Sequence, residues 1–417
     1  MPLTLKTIMF NHDVLSADTS SMNIRRNKDF EVPIPEYDVA IPRTPAQSCA
    51  AYTMQETKGQ NVFVRVTFTL SPATGGTYHV RATGGGVLGA LDQQTVTFAP
   101  GMGTQTVDFP LAHRDFSRIT QQDITWQWEY RQGKSWHNLA TTQHHIYIVL
   151  KVPAVPWTQT PGDKRNPWTD LLDVCCAKSA GSRTQADAAE KIIKSVNRDY
   201  SLRYDIVSGA PRYGFSTSGS SFDLTGWIDF VLKGNAPANP LFCGGTGEQY
   251  RNFLIVNCYD CAASSALMAT VLGADSGYFF HAPFGYLNYV LPIGRGKCNN
   301  PFPGCTGNNP AVGPDDPRTH FGNHAYTKLS ATRNYDSCMR QWVSPLNRLV
   351  LILLWLIIFI ITLGLLNLTS LLNRADGWLI DLSQADYNTI VVDTSQPFEA
   401  AANGGSPALQ TLQFRVV

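Results

Sequence analysis

The sequence predicts an α+β protein in which a β-sandwich is followed by an α+β domain and then by an apolar helix. Three observations lead to this prediction. Short runs of alternating apolar and polar residues fill 50–152, helical apolar patterns mixed with short strands follow over about 165–345, and 349–372 carries no charged residue. The length of 417 residues exceeds one typical domain and suggests two or three.

The composition is that of a folded, loop-rich protein. Hydrophobic residues make up 43% and charged residues 16% of the chain, which argues against disorder. The 33 Lys and Arg balance 32 Asp and Glu without a basic run, so a nucleic acid is not an expected partner. The start of the chain lacks a charged segment followed by a long apolar one. We therefore expect synthesis in the cytoplasm without a Sec signal, and reduced cysteines.

The first domain is predicted over 46–152, after an extended, proline-punctuated region at 1–45. The run NVFVRVTFTL places Val64 and Val66 on one face, and similar runs recur at short intervals with Gly, Pro and Asp turns between them. Roughly seven such strands are typical of an immunoglobulin-like β-sandwich. The proline-rich stretch 153–167 is predicted to be a linker.

The second domain is predicted over 168–345. WTDLLDVCCAKSA and QADAAEKIIKSVNRDY have the apolar spacing of helices, FLIV has that of a buried strand, and histidine-bearing stretches follow. The uncharged run within 346–373 is long enough to cross a bilayer, which makes a membrane one expected partner, and the alternative is a buried core helix. The remainder, 374–417, is predicted to pack back onto the second domain.

The stretch NCYDCAASSALMATVLG, residues 257–273, is predicted to start a helix at a cysteine. Asn257 is a good N-cap, Asp260 three positions later completes a capping box, and Gly273 is a C-cap. Cys258 then occupies the first helical position. Free backbone N–H groups and the positive end of the helix dipole favour a thiolate at this position.

Four interpretations of this Cys-x-x-Cys pair compete. Cys258 is a nucleophile with a distant base, or Cys258 and Cys261 form a thioredoxin-like redox pair, or both are buried structural thiols. In the fourth interpretation, zinc is bound by Cys258, Cys261, Cys298 and Cys305. Only the fourth needs a metal, and no cofactor is predicted for the nucleophile.

Residues downstream favour the nucleophile. In FGNHAYTKLSATRNYDSCMRQW, His324 lies in an alternating run and Asp336 in the next one, so an antiparallel hairpin would bring them together. A thiol, an imidazole base and an orienting carboxylate form a triad that attacks a carbonyl carbon. The redox and zinc interpretations give this histidine and aspartate no role. Gln249 and Tyr250 are candidate donors to the oxyanion, beside the Cys258 backbone N–H.

The same region resembles the transglutaminase-like, papain-like superfamily. The helix pattern of that family is Cys-x-Asp-x-Ala, then small and apolar residues, then Leu-Gly. It is matched in register by Cys258, Asp260, Ala262, Leu272 and Gly273. NHAYTKL resembles the family's His-Ala-Trp strand, and NYDSC resembles its aspartate strand. The long insert before the histidine strand and the apolar run after the triad depart from the family pattern.

The resemblance implies an enzyme with the triad Cys258, His324 and Asp336, which forms a thioester with a carboxamide or peptide carbonyl of a protein or peptide. Water as acceptor gives a protease or deamidase, and an amine gives a crosslinking transglutaminase. Together with the missing Sec signal and the apolar run at 349–372, the thiol-enzyme resemblance suggests a bacterial effector or toxin. Such a protein would be membrane-associated or delivered into a target cell. Its partners would then include a delivery machinery or an immunity protein. The alternative is a non-catalytic binding or scaffold protein with structural or zinc-binding Cys258 and Cys261.

Overall fold

The chain divides into two compact units. The computed structural model describes residues 3–206, 209, 211–214, 221–235, 253–282, 284–299, 321–330, 333–342, 353, 378–393 and 415–416. The first unit comprises Met1–Ala188, Met268–Ala274 and Val416, and the second comprises Ala189–Leu267, Asp275–Arg415 and Val417.

The first unit contains two sheets. Its strands are β1 (Leu3–Met9), β2 (Tyr37–Asp38), β3 (Cys49–Thr53), β4 (Phe63–Leu70), β5 (Gly76–Gly84), β6 (Leu91–Phe98), β7 (Thr104–Pro110), β8 (Thr120–Gln132) and β9 (Ser135–Val149). The strand order is β2-β1-β4-β7 in one sheet and β3-β9-β8-β5-β6 in the other. Paired strands are antiparallel except for β3 and β9, which are parallel. The segment 1–45, predicted to be extended chain, supplies β1.

Strands of both sheets contribute to one apolar core. Alternate residues of a strand point to the same face, and in β4 fully buried side chains such as Val64 alternate with half-buried ones. Trp126 and Trp128 on β8 are fully buried in the same core. Their indole N–H groups remain paired, since Trp126 donates to the Gly89 carbonyl at 2.9 Å and Trp128 to Thr142 Oγ1 at 3.1 Å. These two indole rings are therefore buried without leaving their N–H groups unpaired.

Two tryptophans explain why the proline-rich stretch 153–167 lies inside the first unit and not at a boundary. Trp157 is buried, and its Nε1 donates to Thr270 Oγ1 at 3.1 Å. Trp168, which directly follows the stretch, is fully buried. Burial of two indole rings anchors the segment at both ends, and the division of the chain falls instead after Ala188.

The second unit is organised around a five-stranded sheet. The described helices of the chain are α1 (Thr169–Lys178), α2 (Gln185–Arg198), α3 (Leu224–Gly226, continued by a π-helical turn at Trp227–Leu232), α4 (Cys258–Thr270) and α5 (Gln384–Ile390). The further strands are β10 (Arg203–Tyr204), β11 (Ser221–Phe222), β12 (Ile255–Val256), β13 (Gly277–His281), β14 (Val290–Pro292), β15 (His324–Ser330), β16 (Arg333–Gln341), β17 (Trp378–Leu382) and β18 (Arg415–Val416). The sheet has the order β13-β15-β16-β14, and β17 also pairs with β16.

The predicted fold class is wrong. The structure is mostly β, with 38% strand, 20% helix and several sheets, and is not the predicted α+β arrangement. Long paired strands account for the difference, since β8 and β9 alone have 13 and 15 residues. In the described part of the chain, no helix is long and apolar enough to cross a membrane. The apolar run 349–372 lies outside the described residues except for Leu353, so a membrane-spanning helix is unsupported.

Helix α4 begins and ends as its sequence predicts. Asn257 Oδ1 accepts a hydrogen bond from the Asp260 N–H at 3.1 Å, and Asp260 Oδ2 accepts one from the Asn257 N–H at 3.2 Å. This confirms the capping box. Beyond the last turn, Gly273 adopts a φ of +79°, and a Cβ on it would lie 2.3 Å from the Lys151 carbonyl oxygen. Only glycine fits this backbone conformation and this close approach.

Candidate active site

His324 and Asp336 meet across the hairpin formed by β15 and β16. The two strands pair antiparallel, with Thr327 opposite Tyr335, which confirms the predicted hairpin. His324 Nε2 lies 2.8 Å from Asp336 Oδ2, and both side chains are 0% exposed. Because a carboxylate only accepts hydrogen bonds, Nε2 carries the proton and donates it. The ring tautomer and orientation of His324 are therefore set by Asp336.

Asp336 is held by four donors. Its Oδ1 accepts from the backbone N–H groups of Cys338 at 2.9 Å and Met339 at 3.1 Å. Its Oδ2 accepts from His324 and also from the Tyr387 hydroxyl at 2.8 Å. A carboxylate offers about four acceptor positions. All of them are occupied here, so the carboxylate cannot rotate away from His324.

The second ring nitrogen of His324 is left for Cys258. Among the described residues, Nδ1 has no hydrogen-bond partner of ordinary geometry. Burial alone would lower the pKa of His324. The negative charges of Asp336 and of a Cys258 thiolate, with the hydrogen bond to Asp336, more than offset burial and raise this pKa to about 10. Cys258 is thus close enough to influence the His324 ring electrostatically. A hydrogen bond between a catalytic thiol and its base is often long or poorly aligned before the substrate binds.

Cys258 occupies the first position of α4, at the end of the buried strand β12. Its side chain is 4% exposed. The first N–H groups of a helix have no partner within the helix and point beyond its end. The cysteine therefore lies where backbone donors and the helix dipole favour negative charge. This is the position that the capping box predicts for it.

Asp260 ties a neighbouring loop to the start of α4. Besides capping Asn257, its carboxylate accepts from the backbone N–H groups of Arg212 at 2.8 Å, Tyr213 at 2.7 Å and Gly214 at 2.9 Å. Burial raises the pKa of Asp260 to about 6, although these backbone donors lower it. The side chain that caps the helix thus also holds residues 212–214 against the first turn of α4.

A second buried histidine, His281, lies on the strand next to that of His324. The two histidines are directly opposite one another in the antiparallel pairing of β13 and β15. His281 is buried, and neither of its ring nitrogens has a hydrogen-bond partner among the described residues. Burial, followed by the positive charge of His324, lowers the pKa of His281 to about 4. Its ring packs edge-on against Phe284, with centroids 5.2 Å apart.

The second cysteine of the Cys-x-x-Cys pair differs from the first. Cys261 lies one turn into α4 and is fully buried. A hydrogen bond with Cys338 lowers its pKa, but burial and the charges of Asp260 and Asp336 raise the pKa overall. Its carbonyl accepts a hydrogen bond from the Ser337 hydroxyl at 2.9 Å. Cys261 therefore lies in the interior between helix and sheet, where a thiolate is disfavoured.

The remaining predicted residues are only partly described. Cys298 is buried and forms an isolated backbone bridge with Val290 on β14. Cys305, Gln249 and Tyr250 lie outside the described residues, so the zinc set and the oxyanion donors stay predictions. Within the described part of the chain, no three His, Cys, Asp or Glu side chains are grouped as metal ligands.

Tyr387 is the site residue that sequence reasoning missed. It lies on α5, is fully buried, and reaches Asp336 from 51 positions further along the chain. Its local sequence contains only a helix start, in which Ser383 Oγ accepts from the Asp386 N–H at 3.2 Å. No local signal connects this helix to Asp336, because the contact depends on how β17 pairs with β16.

The arrangement has the parts needed for attack by a thiol on a carbonyl carbon. It contains a cysteine at a helix start, a histidine whose Nδ1 is available, and a saturated carboxylate that orients the histidine. In comparisons with known proteins, no family model and no curated protein sequence matches the chain.

Proposed function

We propose that the chain is a transglutaminase-like thiol enzyme that attacks a carboxamide or peptide carbonyl of a protein or peptide substrate. Cys258 is the nucleophile, His324 is the general base and acid, and Asp336 orients His324. One observation carries the proposal. The buried 2.8 Å contact between His324 Nε2 and Asp336 Oδ2 leaves Nδ1 as the ring nitrogen available for the Cys258 proton.

The reaction runs through a thioester. The Cys258 proton passes to His324 Nδ1 before the attack. The thiolate sulfur then bonds to the carbonyl carbon, and the proton moves from Nδ1 to the leaving amine as the C–N bond breaks. An acceptor then gives a proton to Nδ1 and bonds to the carbonyl carbon, and the C–S bond breaks. Water as acceptor releases a carboxylic acid, and an amine forms a new amide.

The charge distribution supports this division of roles. The pKa of His324 is raised to about 10, so its imidazolium form is stable in the site at neutral pH. A protonated imidazole beside a cysteine favours the nucleophilic thiolate. The Cys261 thiol instead hydrogen-bonds with Cys338, and its backbone carbonyl accepts from the Ser337 hydroxyl. These contacts favour Cys258 over Cys261 as the reacting thiol.

The proposal is tested by the rate at which iodoacetamide labels Cys258 at pH 7, measured by peptide mass spectrometry. We expect His324→Ala to slow labelling by about tenfold or more, because the imidazolium that favours the Cys258 thiolate is lost. His281→Phe is the matched control, since His281 is the buried histidine directly opposite on the neighbouring strand. Equal labelling rates in the two variants would overturn the proposal.

The zinc content of the purified, unsubstituted protein tests the alternative of a non-catalytic scaffold. A scaffold with a zinc site would purify with stoichiometric zinc, and Cys298→Ser would remove the metal. That result, with no effect of His324→Ala on labelling, would replace the enzymatic proposal with a structural one.

If the chain is a delivered effector, cells that express it should lose viability, and Cys258→Ala should restore growth.

A further inference from the structure

The Asp336 oxygen that holds His324 is shared with a second side chain. Asp336 Oδ2 accepts from His324 Nε2 and from the Tyr387 hydroxyl, both at 2.8 Å. All three side chains are 0% exposed, so water does not compete for this oxygen. Hydrogen bonds to a carboxylate are stronger than those between neutral groups. The phenol therefore competes directly with the imidazole for the negative charge of one atom.

Tyr387 is held in place independently of Asp336. Its ring stacks on Tyr326 of β15, with centroids 4.4 Å apart and an interplanar angle of 27°. Its backbone N–H donates to the Ser383 carbonyl at 2.9 Å in the first turn of α5. Strand β17, just before this helix, pairs with β16 so that Ile380 is opposite Asp336. Strand β17 and helix α5 thus place the Tyr387 hydroxyl next to the Asp336 carboxylate.

The hydroxyl acts as a donor over the whole accessible pH range. Burial, and then the negative charge of Asp336, raise the pKa of Tyr387 far above its ordinary value. A phenol that keeps its proton stabilises the carboxylate charge and draws it away from the imidazole. The attraction between Asp336 and a protonated His324 is then weaker than it would be without the phenol.

We propose that Tyr387 is a positioning residue of the triad, which limits how strongly Asp336 holds the His324 imidazolium and so eases transfer of its proton to the leaving group. This inference rests on the proposed function, since it assigns Tyr387 a role in the acid and base chemistry of His324. A purely structural tyrosine would saturate the buried carboxylate and stabilise the fold without changing how His324 titrates.

Other titratable groups also face His324 and must be held constant in a test. They are Asp336 on β16, Cys258 on α4, His281 on β13 and Tyr326 on the strand of His324 itself. The thiolate of Cys258 raises the pKa of His324. Cys258→Ala therefore brings the titration to lower pH, where it is easier to follow.

The experiment is a pH titration of the His324 ring nitrogens by NMR in full-length, ¹⁵N-histidine-labelled Cys258→Ala protein. We expect Tyr387→Phe to raise the pKa of His324 by roughly one pH unit, the size of effect that one strong hydrogen bond exerts. Tyr335→Phe is the matched control on β16, because the Tyr335 hydroxyl has no partner among the described residues. Identical titrations of His324 in the two variants would overturn the inference.

A second variant covers the case in which Tyr387→Phe does not fold. Incorporation of 3-fluorotyrosine at position 387 keeps the ring and makes the phenol a stronger donor, so the pKa of His324 should fall. An unchanged titration would overturn the inference. The proposed function is judged separately, by whether Cys258→Ala itself lowers the pKa of His324 from its value in the unsubstituted protein. If it does not, the Cys258–His324 pair fails whatever Tyr387 does.

Discussion

His281 and His324 are directly opposite one another on neighbouring antiparallel strands, yet their surroundings move their pKa values in opposite directions. Burial and the charge of His324 lower the pKa of His281 to about 4, whereas Asp336 and Cys258 outweigh burial and raise the pKa of His324 to about 10. At neutral pH one ring is neutral and the other is charged. This difference makes their contributions to stability separable by pH.

His281→Phe should make the protein less sensitive to acid. The pKa of His281 is lowered from 6.5 to about 4, so the stability linked to it is present above pH 6.5 and is lost as pH falls toward 4. One such group changes the free energy of unfolding by at most about 1.4 kcal/mol per pH unit. Urea unfolding at several pH values between 4 and 7 measures this slope. Equal slopes in the variant and the unsubstituted protein would contradict the assignment.

Asp336→Asn should remove a loss of stability at alkaline pH. The pKa of His324 is raised from 6.5 to about 10, so its contribution is fully present below pH 6.5 and is lost as pH rises toward 10. Without the carboxylate this pH dependence shrinks, and at pH 7 the variant should be about 3–5 kcal/mol less stable, as for other broken buried pairs. Chemical unfolding from pH 6 to 10 tests both points. Curves that run parallel for the two proteins would rule out the His324 contribution.

Asp260→Asn should destabilise the second unit, because an amide nitrogen cannot accept from the backbone donors of 212–214 and Asn257. The expected cost is about 1–3 kcal/mol in the free energy of unfolding. Asp386→Asn is the control, since Asp386 holds the same position after Ser383 in α5 but is exposed. Its effect should stay within about 0.5 kcal/mol. Similar losses in the two variants would show that the loop contacts of Asp260 contribute little.

Gly273→Ala should cost more stability than Gly181→Ala. Both glycines have a φ of +79°, but a Cβ at Gly273 would lie 2.3 Å from the Lys151 carbonyl oxygen, whereas nothing lies within 4 Å of one at Gly181. The shared backbone strain is about 1–2 kcal/mol. The excess loss at Gly273 therefore isolates the close approach to Lys151. Thermal unfolding of both variants measures it, and equal losses would disprove a steric requirement.

Short-range patterns predicted the parts of the site that depend on neighbours in the chain. The capping box of Asn257 and Asp260 placed Cys258 at the start of α4, and the turn between two alternating runs placed His324 and Asp336 on one hairpin. Capping bonds span three residues, and a hairpin joins strands that are adjacent in the sequence. Such features are determined locally.

The same patterns gave a fold class with too much helix. These patterns describe single helices and strands, whereas the proportion of strand in the whole structure depends on how the strands pair into sheets. Length and hydropathy, for their part, do not distinguish a segment in lipid from one buried in protein. The prediction of a membrane-spanning helix rested on those two properties alone.

The sequence by itself determined the position of Cys258 at a helix start, the capping of that helix and the histidine–aspartate hairpin. Only the tertiary structure decided that Tyr387 shares the Asp336 oxygen with His324 and that His281 lies opposite His324. These contacts join segments separated by tens of residues, and they form only when β13 and β17 take their places in the sheet. The physical reason is that capping and alternation are properties of a few neighbouring residues. The charges that tune His324, by contrast, are brought together by packing of the whole second unit.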